Sequence, residues 1–365
     1  MGTHDVVVVG AGPAGWAAAL GLAQAGLDVA VVGPVGGGGR WNALLPRAER
    51  FLTRIGLDPQ SPDVGGTPIT GLVSVEGPRA VRFDALDADL PTMGVAVDGG
   101  ALARTANAAW TGTRSAHPAV SVDGKAGAWR LTLDNGDTLN ARFLVVADGQ
   151  NGPIGHALAG RWVGPPLRQN AVAWVAHHTT PHGGWAFESS CDRGPVATTP
   201  LPDAADGGHR SAVVWVDHKD ADTLTSPEAA AAGLEHVLGA HLGAITPPAQ
   251  LHAWPVRFAQ RRTWGPGWVA LGEAARIWPP TGAQGLNHAL MAAEELAACA
   301  ASLERTATLL RWAARTESVG ALRLGAVATL HGALSMPVGP LRGAALGLME
   351  RAPFLRRALM RTGLA

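Results

Sequence analysis

Apolar and polar positions follow three successive rhythms along this chain. The run Asp5 to Val9, a helical stretch from Pro13 to Ala25 and the apolar run Asp28 to Val32 predict a short βαβ unit at the start. A glycine-rich loop, Gly33 to Gly39, ends in Arg40 and leads to a predicted helix from Asn42 to Ile55, stopped by Gly56. Strand-like segments follow at 69–75 and 80–83, then a helix from Gly100 to Trp110. Asp134-Asn135-Gly136 reads as the turn of a hairpin between Trp129 to Leu133 and Thr138 to Leu139, and the apolar strand Ala141 to Ala147 comes next.

From 169 to 217 the rhythm becomes alternating. Ala171 to His177, Gly184 to Phe187, Val196 to Pro200 and Ser211 to Val216 predict an antiparallel sheet covered on one face. A helix from Pro227 to Leu242 and strands at Leu251 to Arg257 and Trp268 to Leu271 follow. The pattern is then helical from Thr281 almost to the end, with breaks near Pro337 and Pro340. The expected fold class is α/β: a Rossmann-like nucleotide-binding domain, an antiparallel β-sheet lobe and a helical C-terminus. The expected division is a discontinuous nucleotide domain at 1–75, 99–160 and 268–335, a lobe at 76–98 and 161–267, and a C-terminal amphipathic segment at 336–365.

Composition narrows the function classes. The 365 residues carry a formal net charge of zero, which removes any global attraction to nucleic acid. Two cysteines far apart, Cys191 and Cys299, argue against a disulfide framework or a thiolate metal centre. The N-terminus enters the first strand without a signal-peptide pattern, so a cytoplasmic protein is expected. No uninterrupted apolar run reaches membrane-spanning length.

Three motifs carry chemistry. In Gly10-Ala11-Gly12-Pro13-Ala14-Gly15, Gly10 permits a tight strand-to-helix turn, Gly12 lets backbone approach a pyrophosphate, and Gly15 lets the helix pack closely on the sheet. The helix N-terminus then faces the phosphates. The second motif, Phe143 to Gly149, is a buried strand ending in Asp148-Gly149, where a carboxylate can accept hydroxyl hydrogen bonds. The third, Gly272 to Asn287, contains Pro279-Pro280 and a glycine-rich turn opening a helix, whose bare N–H groups suit anionic or carbonyl oxygens.

Together, in this order, the motifs resemble the single-component FAD-dependent aromatic hydroxylases of the para-hydroxybenzoate hydroxylase fold, and within them the ubiquinone-biosynthesis hydroxylase family. The resemblance is closest from Gly272 to Asn287 and extends over essentially the whole chain. It implies an extended FAD, with Gly10, Gly12, Ala14, Gly15 and Arg40 near the pyrophosphate and Asp148 and Gly149 near the cofactor. Glu273 falls on the ribityl or pyrophosphate side, and Pro279, Gly282, Gly285, Leu286 and Asn287 beside the isoalloxazine. It further implies reduction by NADPH or a protein electron donor, and hydroxylation of a hydrophobic phenol or quinol, a ubiquinone precursor among the options, through a flavin C4a-hydroperoxide. No second glycine fingerprint follows another strand, so no separate NADPH domain is expected.

The apolar Trp174, Trp185, Phe187 and Trp215 and the polar His177, His178 and His182 are the candidates for a substrate wall, and no catalytic residue is assigned. Arg342, Arg351, Arg356, Arg357 and Arg361, interleaved with apolar residues, make the C-terminal segment a candidate for contact with an anionic membrane face or with a biosynthetic-complex partner. Packing on the nucleotide domain is the alternative. The chain departs from the family at Gly33-Pro34, where an acid usually meets the ribose, at Arg276 in place of histidine, and at Ala292. These departures motivate a second class of function, a flavin-fold scaffold without turnover. A halogenase is disfavoured because no Trp-x-Trp motif occurs and no lysine lies between Gly10 and Gly100. A prenyl reductase is disfavoured because the chain has no tyrosine.

Overall fold

The computed structural model describes residues 2–335 except 37, 39, 78, 192 and 219–225, and beyond 335 only 347, 351, 352, 354, 357 and 360. The N-terminal unit runs β1 (Thr3–Ala11), α1 (Pro13–Gln24) and β2 (Val29–Val35). Val6 and Val8 face a core with Trp16 and Leu22, while Val7 and Val9 face a second core with Leu131 and Leu144. Because both faces of β1 are covered, the strand reads as an unbroken apolar run. Next come β3 (Trp41–Leu44), α2 (Pro46–Arg54), β4 (Thr67–Ile69), β5 (Gly71–Glu76), β6 (Arg79–Asp84), β7 (Gly94–Asp98) and α3 (Gly99–Ala109). The chain continues with β8 (Thr113–Ser115), β9 (Ala119–Lys125), β10 (Ala128–Leu133), β11 (Thr138–Val146) and α4 (Pro153–Ala159).

The lobe comprises β12 (Pro166–His178), β13 (Trp185–Cys191), β14 (Gly194–Pro200), β15 (His209–His218), α5 (Pro227–Leu242), β16 (Ile245–Thr246) and β17 (His252–Arg257). The chain then returns through β18 (Ala259–Gln260), β19 (Trp264–Gly265), β20 (Trp268–Ala270) and β21 (Arg276–Ile277) to α6 (Gln284–Ala297) and α7 (Thr306–Ser335). One sheet has the order β19-β20-β11-β1-β2-β8, with β10 beside β11 and β9 beside β10, and β20, β11, β1, β2 and β8 run parallel. The lobe sheet has the order β16-β12-β15-β14-β13-β5-β6 with β17 beside β12, and β3, β7 and β4 form a small third sheet.

Three expectations are corrected here. The helix expected from Asn42 begins at Pro46, because residues 41–44 pair with β7 and the fixed φ of proline suits the first helical position. β5 pairs in parallel with β13, so the lobe begins at Gly71 rather than after 75. β7, expected in the lobe, pairs with β3 and β4.

The lobe sheet alternates as a half-covered sheet should, but its faces are the reverse of the expected substrate wall. Trp174, Phe187, Val196, Val213 and Trp215 pack beneath α5 on Leu234 and Leu238, and Trp185 packs against the same cluster. The opposite face carries Leu72, Val175, Ala186 and Ala212, which meet Trp41, Ala43 and Ala96 of the small sheet. Large aromatics fill the gap to the helix, and the other face packs on the small sheet.

Candidate active site

Contacts no local pattern could supply bring the three motifs together at the C-terminal ends of the parallel strands. Gly10 has φ +111, and a Cβ there would meet the Ala147 carbonyl oxygen at 2.2 Å. A Cβ at Gly15 would lie 1.9 Å from the Gly10 oxygen, so the first helix can approach the turn only with glycine. A Cβ at Gly272 would touch those of Ala14 at 3.4 Å and Ala289 at 3.6 Å, which places the distant segment against the first turn of α1. Arg40 and Glu273 form an exposed ion pair at 3.4 Å.

Two glycines behave differently. A Cβ on Gly12 or Gly285 would meet nothing within 4 Å. Gly12 is the N-cap of α1 and Gly285 lies in the first turn of α6. Both helix starts lack a side-chain cap and an acidic residue in the first turn. Open space before two uncapped helix N-termini is where an anionic diphosphate and an electron-rich ring are stabilised. The residues present therefore fit FAD.

The turn before α6 is wound through two left-handed residues, Gly282 at φ +70 and Ala283 at φ +53. Alanine is held in that disfavoured region by Asn287, whose Nδ2 donates to the carbonyls of Ala283 at 2.6 Å and Ala43 at 2.8 Å. Asn287 Oδ1 accepts from the Leu45 N–H at 2.7 Å. The side chain is buried and acts as a clamp that ties the turn to β3. Pro279 is buried, Leu286 packs on the main core, and Gly282 and Gly285 are exposed.

Asp148 is occupied elsewhere as well. Its Oδ2 accepts from the N–H groups of Ile154 and Gly155, both at 3.0 Å, so it caps α4 from within the loop. Burial pushes its carboxyl up, against those amides and the nearby Arg261 guanidinium. Gly149 takes φ +79, and its carbonyl accepts from Arg261 Nη2 at 3.4 Å. Arg261, which no sequence pattern flagged, is 5% exposed, stacks 4.4 Å over Trp162 and donates to the Ala274 carbonyl at 2.6 Å. At the end of β2, where the family acid is missing, Arg114 donates to the carbonyls of Gly33 and Ser115 and to Asn107 Oδ1.

The lobe histidines serve the backbone. His178 is buried between the Thr180 carbonyl and the Ser211 hydroxyl, His182 bridges the Leu201 carbonyl and the Gly184 N–H, and His177 is exposed. Of the C-terminal residues described, Arg351, Phe354 and Arg357 are exposed, while Ala352 and Met360 are buried. Met360 packs on Val81 and Phe83. Arg342, Arg356 and Arg361 lie outside the described residues. Among the described residues, no helix is long and apolar enough to cross a membrane, and no cluster of three or more His, Cys, Asp or Glu suits a metal ion.

The arrangement defines a flavoprotein of the monooxygenase fold, and the chain belongs to the FAD binding domain family, which matches residues 113–312. The pyridine nucleotide-disulphide oxidoreductase family matches 4–154. The menaquinone reductase of Mycobacterium tuberculosis is 28% identical over 334 residues, covering 78% of this chain and 74% of that one. Digeranylgeranylglycerophospholipid reductase 1 of Methanopyrus kandleri is 27% identical, covering 79% and 77%. The p-nitrophenol 4-monooxygenase PnpA of Pseudomonas putida overlays with a TM-score of 0.82 at 17% identity, covering 99% of this chain and 98% of that one. The sequence relatives carry reductase names, so the chemistry set aside for want of tyrosine returns to consideration.

Proposed function

We infer that this chain is an FAD-dependent monooxygenase that hydroxylates a hydrophobic phenol or quinol. The supporting observation is the convergence of α1, Gly272 and the clamped turn before α6, with open space at Gly12 and Gly285. FAD, once reduced by NADPH or a protein donor, would activate dioxygen, one atom going to the ring and the other to water. The chain supplies placement. Gly12 and the start of α1 receive the diphosphate. Arg40 and Glu273 would flank the path between the two ends, and the amides at Gly285 and Leu286 would stabilise negative charge on the ring. Asn287 fixes the ring-side turn, while Val175, Ala186 and Ala212 exclude water from the facing wall.

Reduction of a hydrophobic quinone or prenylated compound is the second reading, and it rests on the reductase relatives. Oxygen-18 separates the two. The FAD-loaded, pre-reduced enzyme is mixed with labelled dioxygen and a panel of alkylated phenols and quinones. One labelled atom in an organic product supports hydroxylation; turnover in strict anaerobiosis with no label uptake supports reduction. Failure of the purified chain to bind FAD at all refutes both and leaves the scaffold.

A further inference from the structure

Glu188 of β13 lies on the lobe-sheet face that carries Ala186 and Leu72, a face it shares with Glu76 of β5. It lies two positions along β13 from Ala186, about 7 Å further along the same face. β13 pairs with β5 so that Glu188 stands beside Ser74, and with β14 so that it stands beside Ala197. Continuing across the sheet, Ala197 pairs with Val214 and Val214 with Ala173. A carboxyl and a hydroxyl are thus set in a row of small apolar side chains. On the same strand Ala186 meets the cluster containing Trp41 and Ala43 of β3, the strand that Asn287 fastens to the ring-side turn.

Glu188 is half-buried. Burial pushes its carboxyl up, and the Ser74 hydroxyl hydrogen bond opposes this. No charged side chain contributes to the shift. A neutral carboxyl can accept from Ser74 through one oxygen and still offer an O–H through the other.

We propose that Glu188, oriented by Ser74, is the polar contact that recognises an oxygen of the substrate ring, so that the site selects an apolar ring bearing a carbonyl or hydroxyl group. This deepens the reading under Proposed function and rests on it. It serves either chemistry, because both require the ring oxygen to be positioned while the rest of the molecule is held by apolar contacts. The cost of leaving the carboxyl without a partner in such surroundings also rejects a hydrocarbon lacking that oxygen.

The test uses the FAD-loaded full chain and menadione, a small naphthoquinone, with binding read from the perturbation of the flavin absorbance band. Glu188→Ala weakens binding at least tenfold, and Glu188→Gln, which keeps a donor, stays within about threefold of the parent. The parent holds menadione in the acidic range and loses it as pH rises through the carboxyl's raised pKa. Glu188→Gln shows no such loss. Equal binding by the parent and Glu188→Ala, with the same pH profile, overturns the assignment. Should no ring compound perturb the flavin in any variant while FAD remains bound, the substrate reading fails instead, so the two failures are distinguishable. An unchanged flavin spectrum and FAD affinity in Glu188→Ala confirm that the variant has folded.

Discussion

His288 gives the sharpest quantitative expectation. It follows Asn287 on α6, is 7% exposed, donates from Nε2 to the Thr316 carbonyl at 3.2 Å and faces Trp278 with ring centroids 4.9 Å apart. Burial, with the Arg276 and Arg323 cations adding to it, lowers its pKa from 6.5 to about 4. In the unfolded chain the imidazole takes up a proton near pH 6.5; in the native fold it does so only near pH 4. The native state is therefore fully favoured above the unfolded pKa and loses ground as pH falls through the window between the two values. At about 1.4 kcal/mol per tenfold in the proton equilibrium, the full window is worth roughly 3 kcal/mol. Between pH 7 and pH 5 the loss is roughly 2 kcal/mol. Urea unfolding of the parent and of His288→Gln, at both pH values and equal FAD concentration, isolates this contribution, because the other histidines titrate alike in both proteins. The variant loses about 2 kcal/mol less than the parent on acidification. Equal losses in the two proteins refute the reasoning.

Gly12→Ala and Gly15→Ala separate ligand space from packing space. The first leaves stability without FAD within about 0.5 kcal/mol and lowers FAD affinity at least tenfold, read by fluorescence titration. The second drives a Cβ onto the Gly10 carbonyl and costs about 1–3 kcal/mol before any cofactor is added. Asn287→Ala leaves buried groups of Ala43, Leu45 and Ala283 without their partner and destabilises by about 3 kcal/mol; a loss under about 1 kcal/mol by urea unfolding contradicts the clamp. Glu273→Gln removes an exposed ion pair and changes stability by less than about 1 kcal/mol, so a larger effect in FAD-free protein shows that the pair does more than lie on the surface.

The nucleotide turn was legible because two of its glycines answer backbone contacts. Gly10 and Gly15 are dictated by the carbonyls of Ala147 and Gly10, and such constraints leave a residue identity behind. The turn after Gly272 was legible as a motif, but the work of its members was not. Asn287 also clamps β3, a role the sequence did not show because hydrogen bonds to backbone 242–244 residues away leave no local trace. Asp148 Oδ2 caps α4, a task its place at a strand end did not show. The period-2 pattern of the lobe identified which residues share a face, yet not which face meets the cofactor domain. Tryptophan and phenylalanine suggested a binding wall, whereas α5 needs them to fill the space beneath it. Glu188, at the end of a segment of weaker family likeness, was given no role, because a single acid in an alternating strand reads as a solvent-facing position. Strand β3 was absorbed into the helix that follows, since four residues before a proline carry too little periodicity to stand alone.

The order of strands in the main sheet has a consequence for synthesis. β1 lies beside β11, and β11 beside β20, so both of these pairings join segments separated by more than a hundred residues. A nascent chain that has emerged only as far as the lobe holds its first βαβ unit with one flank unfilled, since Leu290 and Leu296, which complete that core, have yet to leave the ribosome. Such distant closures are slow to form. The dinucleotide cleft is thus among the last parts of the protein to be finished, although its most recognisable residues are among the first to be made.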